Sequence, residues 1–262
     1  MTAAAERIHP TAVIARGAEL DSTVEVGPFA VIGARVKISA RTRVGPHAVI
    51  EGDTTIGEGN HIFQFAALGA IPQDLKYAGE PTRLVIGNGN SFREFCTVHI
   101  GTAQGGGVTR VGDRCLLMAN SHVAHDVQLG DSCILANSAA LAGHVQVEDH
   151  VIFGGLSAVH QFTRVGRLAF VSGGSMVTQD VPPYVIVQGD RAEVAGINTV
   201  GLTRAGFDEH ALMRVKNAYK ILYRMKLGLR EAVARVRAEC GGHAEIDHLV
   251  AFLEGTERGI AR

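Results

Sequence analysis

The amino-acid sequence predicts a parallel β-helix built from hexapeptide repeats, followed by an α-helical domain. Three observations predict this architecture. An aliphatic residue recurs at every sixth position from Ile8 to Leu68, and again from Val111 to Val177, where Phe153 is the one aromatic member. Glycine is frequent, at 32 of 262 residues, which suits a fold with many tight turns. After Asp208 the apolar residues change to a helical spacing.

The six-residue period is incompatible with the 3.6-residue turn of an α-helix and with the two-residue alternation of a simple hairpin. It is typical of the hexapeptide β-helix, in which three hexads form one triangular coil of about 18 residues with the aliphatic residues inside. Such helices are usually left-handed. We therefore expect an all-β left-handed parallel β-helix of roughly nine coils, about 40 Å long at about 4.8 Å per coil.

Two segments interrupt the period. The first is "GAIPQDLKYAGEPTRLV" at residues 69–85, and the second is "TAQGGGV" at residues 102–108. Insertions in a solenoid map to loops that gather on one face, which is often the binding face. Plain surface decoration is the alternative, and the interruptions alone leave both interpretations open.

The predicted β-helix ends at Pro182–Pro183, because proline cannot donate to a β-ladder. Asp208 is predicted to cap the following helix at its N-terminus, and Gly228 to follow its C-terminal end. Two further helices are predicted near residues 230–240 and 245–257. We accordingly divide the chain into a β-helix over residues 1–190 and a helical domain over residues 191–262 that caps it.

The composition of the chain limits the cellular locations and the classes of binding partner that are expected for the protein. The formal net charge of −1 gives no indication of a nucleic-acid partner. No run approaches the roughly 18 apolar residues of a membrane-spanning helix, and the N-terminus lacks the apolar segment of a signal peptide. The expectation is a cytoplasmic protein with no membrane span.

The stretch "ANSHVAHDV" at residues 119–127 raises the question of a catalytic or metal site. Residues one coil apart stack about 4.8 Å from one another, so His125 is predicted to stack with Gly143 and Gln161, and Asp126 with His144. His160 falls in the preceding column, and His122 lies three residues before His125 near the same corner. If residues 102–108 are a seven-residue insertion, His99 joins the patch as well.

This histidine patch supports three interpretations. In acyl transfer to a hydroxyl group, His125 would be the general base and the Gly143 N–H would stabilise the oxyanion. Asp126 could orient the imidazole, although neighbouring strand residues point to opposite faces, so that contact needs a local corner. Alternatively, the imidazoles could bind zinc in an enzyme of the carbonic anhydrase type. The third interpretation is a packing face between subunits.

Several motifs resemble those of the UDP-N-acetylglucosamine O-acyltransferase family: "HVAHDVQLGD", "LAGHV", "GGLSAVHQF", "QDVPPYV" and "PQDLKYAGEPTR". The similarity covers essentially the whole chain. It implies a homotrimer with active sites between subunits and no cofactor. The implied reaction transfers an (R)-3-hydroxyacyl group from acyl carrier protein to the 3-hydroxyl of UDP-N-acetylglucosamine, the first step of lipid A biosynthesis.

The resemblance also implies roles for individual residues. His125, Asp126 and Gly143 match the base, its partner and the oxyanion donor, and Gly173, with Phe170 nearby, matches the position that limits acyl length. The residues implied to bind substrate are Gln73, Asp74, Lys76, His99, His122, His144, His160, Gln161, Asn198 and Arg204.

The chain departs from the family pattern at two positions near Asn198 and Arg204. Val200 replaces a glutamate and Ala205 an arginine, which puts the nucleotide contacts there in question. The helical domain is rich in basic residues, and either a solvated face or a docking surface for the acidic carrier protein would explain them. These residues are Arg214, Lys216, Lys220, Arg224, Lys226, Arg230, Arg235 and Arg237.

Overall fold

The computed structural model of the protein describes residues 7–262. Twenty-seven short strands and four helices are present in this range. The strands are β1 Val13–Ile14, β2 Glu19–Leu20, β3 Glu25–Val26, β4 Val31–Ile32, β5 Val36–Ile38, β6 Arg43–Val44, β7 Val49–Ile50, β8 Asp53–Ile56, β9 His61–Ile62, β10 Ala67–Ala70, β11 Arg83–Ile86, β12 Ser91–Phe92, β13 Thr97–His99, β14 Val108–Val111, β15 Leu116–Leu117, β16 His122–Val123, β17 Gln128–Leu129, β18 Ile134–Leu135, β19 Ala140–Leu141, β20 Gln146–Val147, β21 Ile152–Phe153, β22 Ala158–Val159, β23 Arg164–Val165, β24 Phe170–Val171, β25 Met176–Val177, β26 Val185–Gln188 and β27 Glu193–Ile197. The helices are α1 Thr199–Arg204, α2 Glu209–Arg224, α3 Leu229–Cys240 and α4 Ala244–Glu254.

The strands form three sheets that are parallel from β1 to β26, and up to β25 successive strands of the chain join successive sheets, as a β-helix requires. The first sheet runs from β1 through every third strand to β25, the second from β2 to β23, and the third from β3 through β24 to β26 and β27. Pairing between Val13 and Val31, and between Ile134 and Ile152, confirms the predicted 18-residue coil. The predicted parallel β-helix is therefore confirmed.

The core is a narrow column of the aliphatic residues that the period identified. In a two-residue strand the first side chain points outward and the second inward. Val31 is 40% exposed, whereas Ile32 beside it is fully buried. Burial of one such side chain contributes roughly 1.5–3 kcal/mol. Because the inward position of each hexad stacks on the same position of the next coil, the aliphatic side chains form one continuous column.

The two inserted loops are defined by changes in strand register. Ala67 pairs with Val49, 18 residues earlier, but with Thr97, 30 residues later. Pairing persists to Ala70 and resumes at Arg83, so the first loop spans residues 71–82 and is shorter than the predicted 69–85.

The length of the second insertion agrees with the seven residues assumed from the sequence. Val98 pairs with Val123, an offset of 25 residues in place of 18, which confirms a seven-residue insertion between β13 and β14. Residues 102–107, which precede β14, contain a single 3₁₀ turn at Ala103–Gly105.

The prediction that Pro182–Pro183 ends the ladder was wrong. β26 continues the third sheet in parallel with β24, and Val181 bridges to Val165. The prolines occupy a corner between strands, where no ladder hydrogen bond is required of their nitrogens. The parallel stack ends at β27, which pairs with β26 in antiparallel orientation.

The helical segment packs on the end of this stack around its own apolar cluster. Asp208 caps α2 as predicted, because its Oδ1 accepts a hydrogen bond from the Ala211 N–H at 2.7 Å. Gly228 was placed wrongly: α2 ends at Arg224, and Gly228 is the N-cap of α3. The chain then returns to the β-helix, where the Ala261 N–H donates to the Asp180 carbonyl.

Within residues 7–262, every helix is too short or too polar to cross a membrane.

Candidate active site

The corner between β16 and β17 positions His125 and Asp126. Asp126 adopts a left-handed backbone conformation, with φ of 62°. That turn removes the strand alternation that would separate the two side chains, so His125 Nδ1 lies 2.8 Å from Asp126 Oδ2. The local corner on which the predicted contact depends is therefore present.

The Asp126 carboxylate is fully enclosed. Its side chain is 0% exposed, and that of His125 is 14% exposed. Thr102 donates two hydrogen bonds to the carboxylate, and Thr109 accepts one from the Asp126 backbone N–H. Sequence reasoning missed both threonines: Thr102 lies in the inserted loop, and Thr109 lies in β14 directly after it. The only indication in the sequence of a contact between the inserted loop and the His125–Asp126 corner was that the insertion lies one coil before the histidine motif.

Gly143 lies one coil above His125, with its backbone directly against the imidazole. A Cβ added at Gly143 would be 2.5 Å from His125 Cε1 and 2.7 Å from Nε2. No acceptor within residues 7–262 takes the Gly143 N–H. The site therefore combines a base with an available amide donor, and only glycine leaves room for the imidazole.

His144 stacks above Asp126, as predicted. Its Nδ1 lies 3.7 Å from Asp126 Oδ2, and its ring is stacked on Phe162 with centroids 4.3 Å apart. The His144 and His125 rings meet edge to face at 5.0 Å. The Asp126 carboxylate thus faces two imidazoles, of which His125 is the nearer.

His99 and His122 form the lower part of the patch. Their rings meet edge to face at 4.9 Å, and Thr97 Oγ1 lies 2.7 Å from His122 Nδ1. Burial lowers the pKa of His99 to about 4, with a further contribution from the neighbouring His122 and His125. Burial also lowers the pKa values of His122 and His144. These three imidazoles are therefore neutral at pH 7.

The low pKa of His99 predicts an acid-dependent loss of stability. The folded-state pKa of about 4 lies below 6.5, the ordinary value of a histidine in an unfolded chain. The unfolded chain therefore binds more protons between these two values, and stability is lost as pH falls through this window. Between pH 7 and 4.5 we expect His99 to contribute a loss of about 2–3 kcal/mol in the free energy of unfolding.

Urea denaturation of the wild type and of His99→Asn across this range measures the effect. Each protein is referenced to its own value at pH 7, so the cost of the substitution itself cancels. The wild-type curve should fall more steeply. Parallel curves for the two proteins would contradict the prediction.

The first inserted loop contains three residues that are expected to bind substrate, and they lie at the surface of the loop. Gln73 and Lys76 are exposed, and Asp74 is half-buried with its Oδ1 accepting the Lys76 N–H at 2.9 Å. The Asp74 charge acts to raise the pKa of His144, against the larger effect of burial. Asp74 is therefore close enough to the histidine patch to influence it.

His160 and Gln161 lie at the upper, exposed end of the patch. His160 Nδ1 lies 3.0 Å from the Gln161 carbonyl and 3.3 Å from an Arg258 nitrogen. Arg258 comes from the C-terminal segment and was not foreseen from the sequence.

Asn198 and Arg204 lie on the helical side of the molecule. Asn198 caps α1, its Oδ1 accepting from Gly201 N–H at 3.0 Å while its Nδ2 donates to the Leu168 carbonyl at 2.9 Å. Arg204 is exposed in the last turn of α1. Within residues 7–262, neither side chain forms a hydrogen bond with the histidine patch.

Gly173 and Phe170 lie near the other corner that borders the first sheet. Gly173 is exposed, and a Cβ there would approach the Gly155 carbonyl to 3.3 Å, so a side chain needs only a small adjustment. Phe170 points outward from β24 between Ile152 and Ile186.

A cleft of about 820 Å³ opens beside the Asp126 corner. Asp126, His144 and Phe162 line one side, and Glu257 and Arg258 line another. The cleft is large enough for part of a polar substrate, and it adjoins the imidazole patch at His144.

His125, Asp126 and His144 also present ligand atoms within 4.8 Å of one another, a spacing that a metal ion could bridge. The same geometry serves proton transfer. A carboxylate at Nδ1 favours the tautomer with its proton there and leaves Nε2 to accept a proton from a hydroxyl group.

The sequence and the fold match known acyltransferases. A family model for UDP-N-acetylglucosamine O-acyltransferase, domain 2, matches residues 180–261, and one for bacterial transferase hexapeptide repeats matches residues 109–143. The chain is 64% identical over 256 residues to acyl-(acyl-carrier-protein)–UDP-N-acetylglucosamine O-acyltransferase of Myxococcus xanthus, covering 98% of this chain and 99% of that protein.

Solved structures agree with the sequence relatives. LpxA from Acinetobacter baumannii superposes with a TM-score of 0.96 at 42% identity, covering 98% of this chain and 100% of the other. UDP-N-acetylglucosamine O-acyltransferase from Moraxella catarrhalis gives 0.95 at 39% identity, covering 98% and 100%. These similarities confirm the left-handed β-helix and give no support to the zinc alternative. The chain belongs to the UDP-N-acetylglucosamine O-acyltransferase family.

Proposed function

We propose that this protein transfers an (R)-3-hydroxyacyl group from acyl carrier protein to the 3-hydroxyl of UDP-N-acetylglucosamine, the first step of lipid A biosynthesis. Relatives that match nearly the whole chain carry the name of this acyltransferase. The observation that carries the mechanism is the arrangement of Asp126, His125 and the Gly143 N–H in adjacent coils.

The reaction requires one proton to move twice. His125 Nε2 accepts the proton of the sugar 3-hydroxyl as the oxygen attacks the thioester carbonyl carbon. The Gly143 N–H donates to the developing oxyanion. The intermediate collapses, the C–S bond breaks, and the imidazolium returns its proton to the leaving thiolate. Asp126 stabilises the imidazolium between these steps.

The substrate contacts are proposed from the resemblance together with the positions described above. Asp74 lies close enough to influence His144, which supports its assignment to the sugar-binding region. His99, His122 and Gln161 extend that region along the patch. Gln73, Lys76 and His160 border it from exposed positions.

The proposed homotrimer accounts for the location of the remaining residues. Asn198 and Arg204 lie on α1, away from the histidine patch of their own chain. An active site between subunits would bring α1 of one protomer toward the patch of another. The trimer and the cytoplasmic location remain predictions.

The acyl chain is proposed to lie along the outer face of the first sheet. Above His122 this face carries the small residues Ala140 and Ala158, followed by Met176. Three coil steps of about 4.8 Å give a path of roughly 14 Å. Gly173 borders the upper end of this path, which supports its role in limiting acyl length, with Phe170 on the adjoining sheet.

The basic residues of the helical domain are partly committed to internal ion pairs. Arg214 pairs with Glu245, Arg235 with Glu239, and Arg237 with Glu254. The proposal that this domain docks the acidic carrier protein therefore rests on the basic residues with no carboxylate within 4.0 Å in residues 7–262: Lys216, Lys220, Arg224, Lys226 and Arg230.

The proposed function is tested by turnover. The protein, treated with a chelator, is incubated with UDP-N-acetylglucosamine and a series of (R)-3-hydroxyacyl carrier proteins, and release of the carrier thiol and the mass of the sugar product are measured. We expect a singly acylated nucleotide sugar without added metal. Failure with every chain length, or activity restored only by zinc, would overturn the proposal.

A further inference from the structure

We propose that the second inserted loop is a clamp for the catalytic pair, and that Thr102 is a positioning residue that acts through Asp126. The inference rests on the proposed function, in which His125 is the base. It assigns a role to the loop at residues 102–107, which neither the repeat nor the reaction explains.

Thr102 reaches both oxygens of the buried carboxylate. Its backbone N–H donates to Asp126 Oδ1 at 2.9 Å, and its hydroxyl donates to Oδ2 at 2.6 Å. Oδ2 is also the oxygen that lies 2.8 Å from His125 Nδ1. Two donors from one residue fix the rotation of the carboxylate as well as its position.

The direction of the Thr102 hydroxyl is itself set by the loop. Thr102 is the N-cap of the 3₁₀ turn, and its Oγ1 accepts the Gly105 N–H at 3.2 Å. Its carbonyl accepts the Gly107 N–H at 2.8 Å. The Gly105 N–H, shared with the Thr102 carbonyl at 3.1 Å, is the donor to the hydroxyl oxygen, and Asp126 Oδ2 at 2.6 Å is the acceptor for the hydroxyl proton.

The loop also covers the carboxylate. A Cβ at Gly105 would lie 2.0 Å from Asp126 Cγ, and one at Gly101 would lie 2.8 Å from Oδ1. Backbone without side chains therefore packs against the carboxylate and keeps water from it. A charged hydrogen bond in such an enclosed site is stronger than the same bond in water.

The clamp resolves a competition between two imidazoles. Asp126 Oδ2 lies 2.8 Å from His125 Nδ1 but also 3.7 Å from His144 Nδ1. A small rotation of a free carboxylate would exchange one partner for the other. The hydrogen bonds from Thr102 hold the rotation that favours His125.

Thr109 provides the second attachment, at the backbone. Its Oγ1 accepts the Asp126 N–H at 2.7 Å. Thr109 occupies an inward column that continues one coil at a time through Val127, Val145 and Thr163. Two of these positions are valine, so the column accommodates a threonine-to-valine change. The Thr163 hydroxyl has no hydrogen-bond partner within the described part of the chain.

These contacts define a test with matched controls. Thr102→Val should lower kcat by about 10- to 100-fold with little change in KM, as loss of a residue supporting a catalytic group does. Thr102→Ser, which keeps the hydroxyl, should retain most of the activity. Thr109→Val should lower kcat, and Thr109→Ser should restore it. Thr163→Val, the same change in the same column, should leave kcat unchanged.

A double-variant comparison separates positioning from a general structural effect. In an Asp126→Ala background, Thr102→Val should cause no further loss of kcat, since its effect passes through the missing carboxylate. An additive loss would overturn the proposal, and so would full activity of both valine variants. If His125→Ala keeps its turnover, the assignment of His125 as the base fails, and with it the premise of the clamp, whereas absence of turnover in the wild type would reject the proposed function. An inactive His125→Ala beside fully active Thr102→Val and Thr109→Val rejects the clamp alone.

Discussion

Replacing His125 with alanine is expected to lower kcat by about 10²- to 10⁴-fold, the contribution typical of a general base. The loss follows because, among the histidines of residues 7–262, His125 alone has both a carboxylate within 3 Å of one ring nitrogen and the Gly143 backbone against the other side of its ring. Turnover of the acyl carrier protein thioester measures it. The thermal midpoint should change little, since the imidazole fills no part of the aliphatic column.

The matched control is His150→Ala, which removes an exposed histidine at another corner of the β-helix. It should retain full turnover. A decrease of less than about tenfold in His125→Ala would show that another group takes the hydroxyl proton, because general base catalysis is worth at least about 10².

Replacing Gly143 with alanine is expected to have an effect of similar size through a single methyl group. The new Cβ would lie 2.5 Å from His125 Cε1, so the imidazole must move and lose its contact with Asp126. The methyl also lies beside the N–H proposed to stabilise the oxyanion. We expect kcat to fall by about 10²-fold, the loss typical of one oxyanion donor. Folding should be retained, because Gly143 does not adopt a left-handed φ.

Gly196→Ala is the control for Gly143→Ala, since a Cβ at Gly196 meets nothing within 4 Å. The double variant with His125→Ala identifies the cause of the loss. If the methyl acts only by displacing the imidazole, the double variant should be as active as His125→Ala. A further decrease would report interference with the oxyanion donor. Full activity of Gly143→Ala would contradict the site as described.

Much of the candidate site was predictable from the sequence because the β-helix has a constant period. Residues 18 apart stack, so the neighbours of His125 and Asp126 could be read from their numbers, and Gly143 and His144 lie where that rule places them. The position of His99 required only one correct assumption, the length of the second insertion. The period did not predict the C-terminal end of the β-helix. Pro182–Pro183 was predicted to end the β-ladder, but the third sheet continues through β26.

The sequence by itself determined the coil length, the inward aliphatic column and the columns that carry the histidines, because these depend only on a repeat that each hexad obeys locally. Only the tertiary structure decided which nitrogen of His125 is bound and what holds Asp126. The left-handed corner at Asp126 recurs every six residues through the repeat, but Thr102, which holds the carboxylate, lies in an aperiodic loop. Loop conformation depends on hydrogen bonds between distant residues, and no period in the chain encodes them.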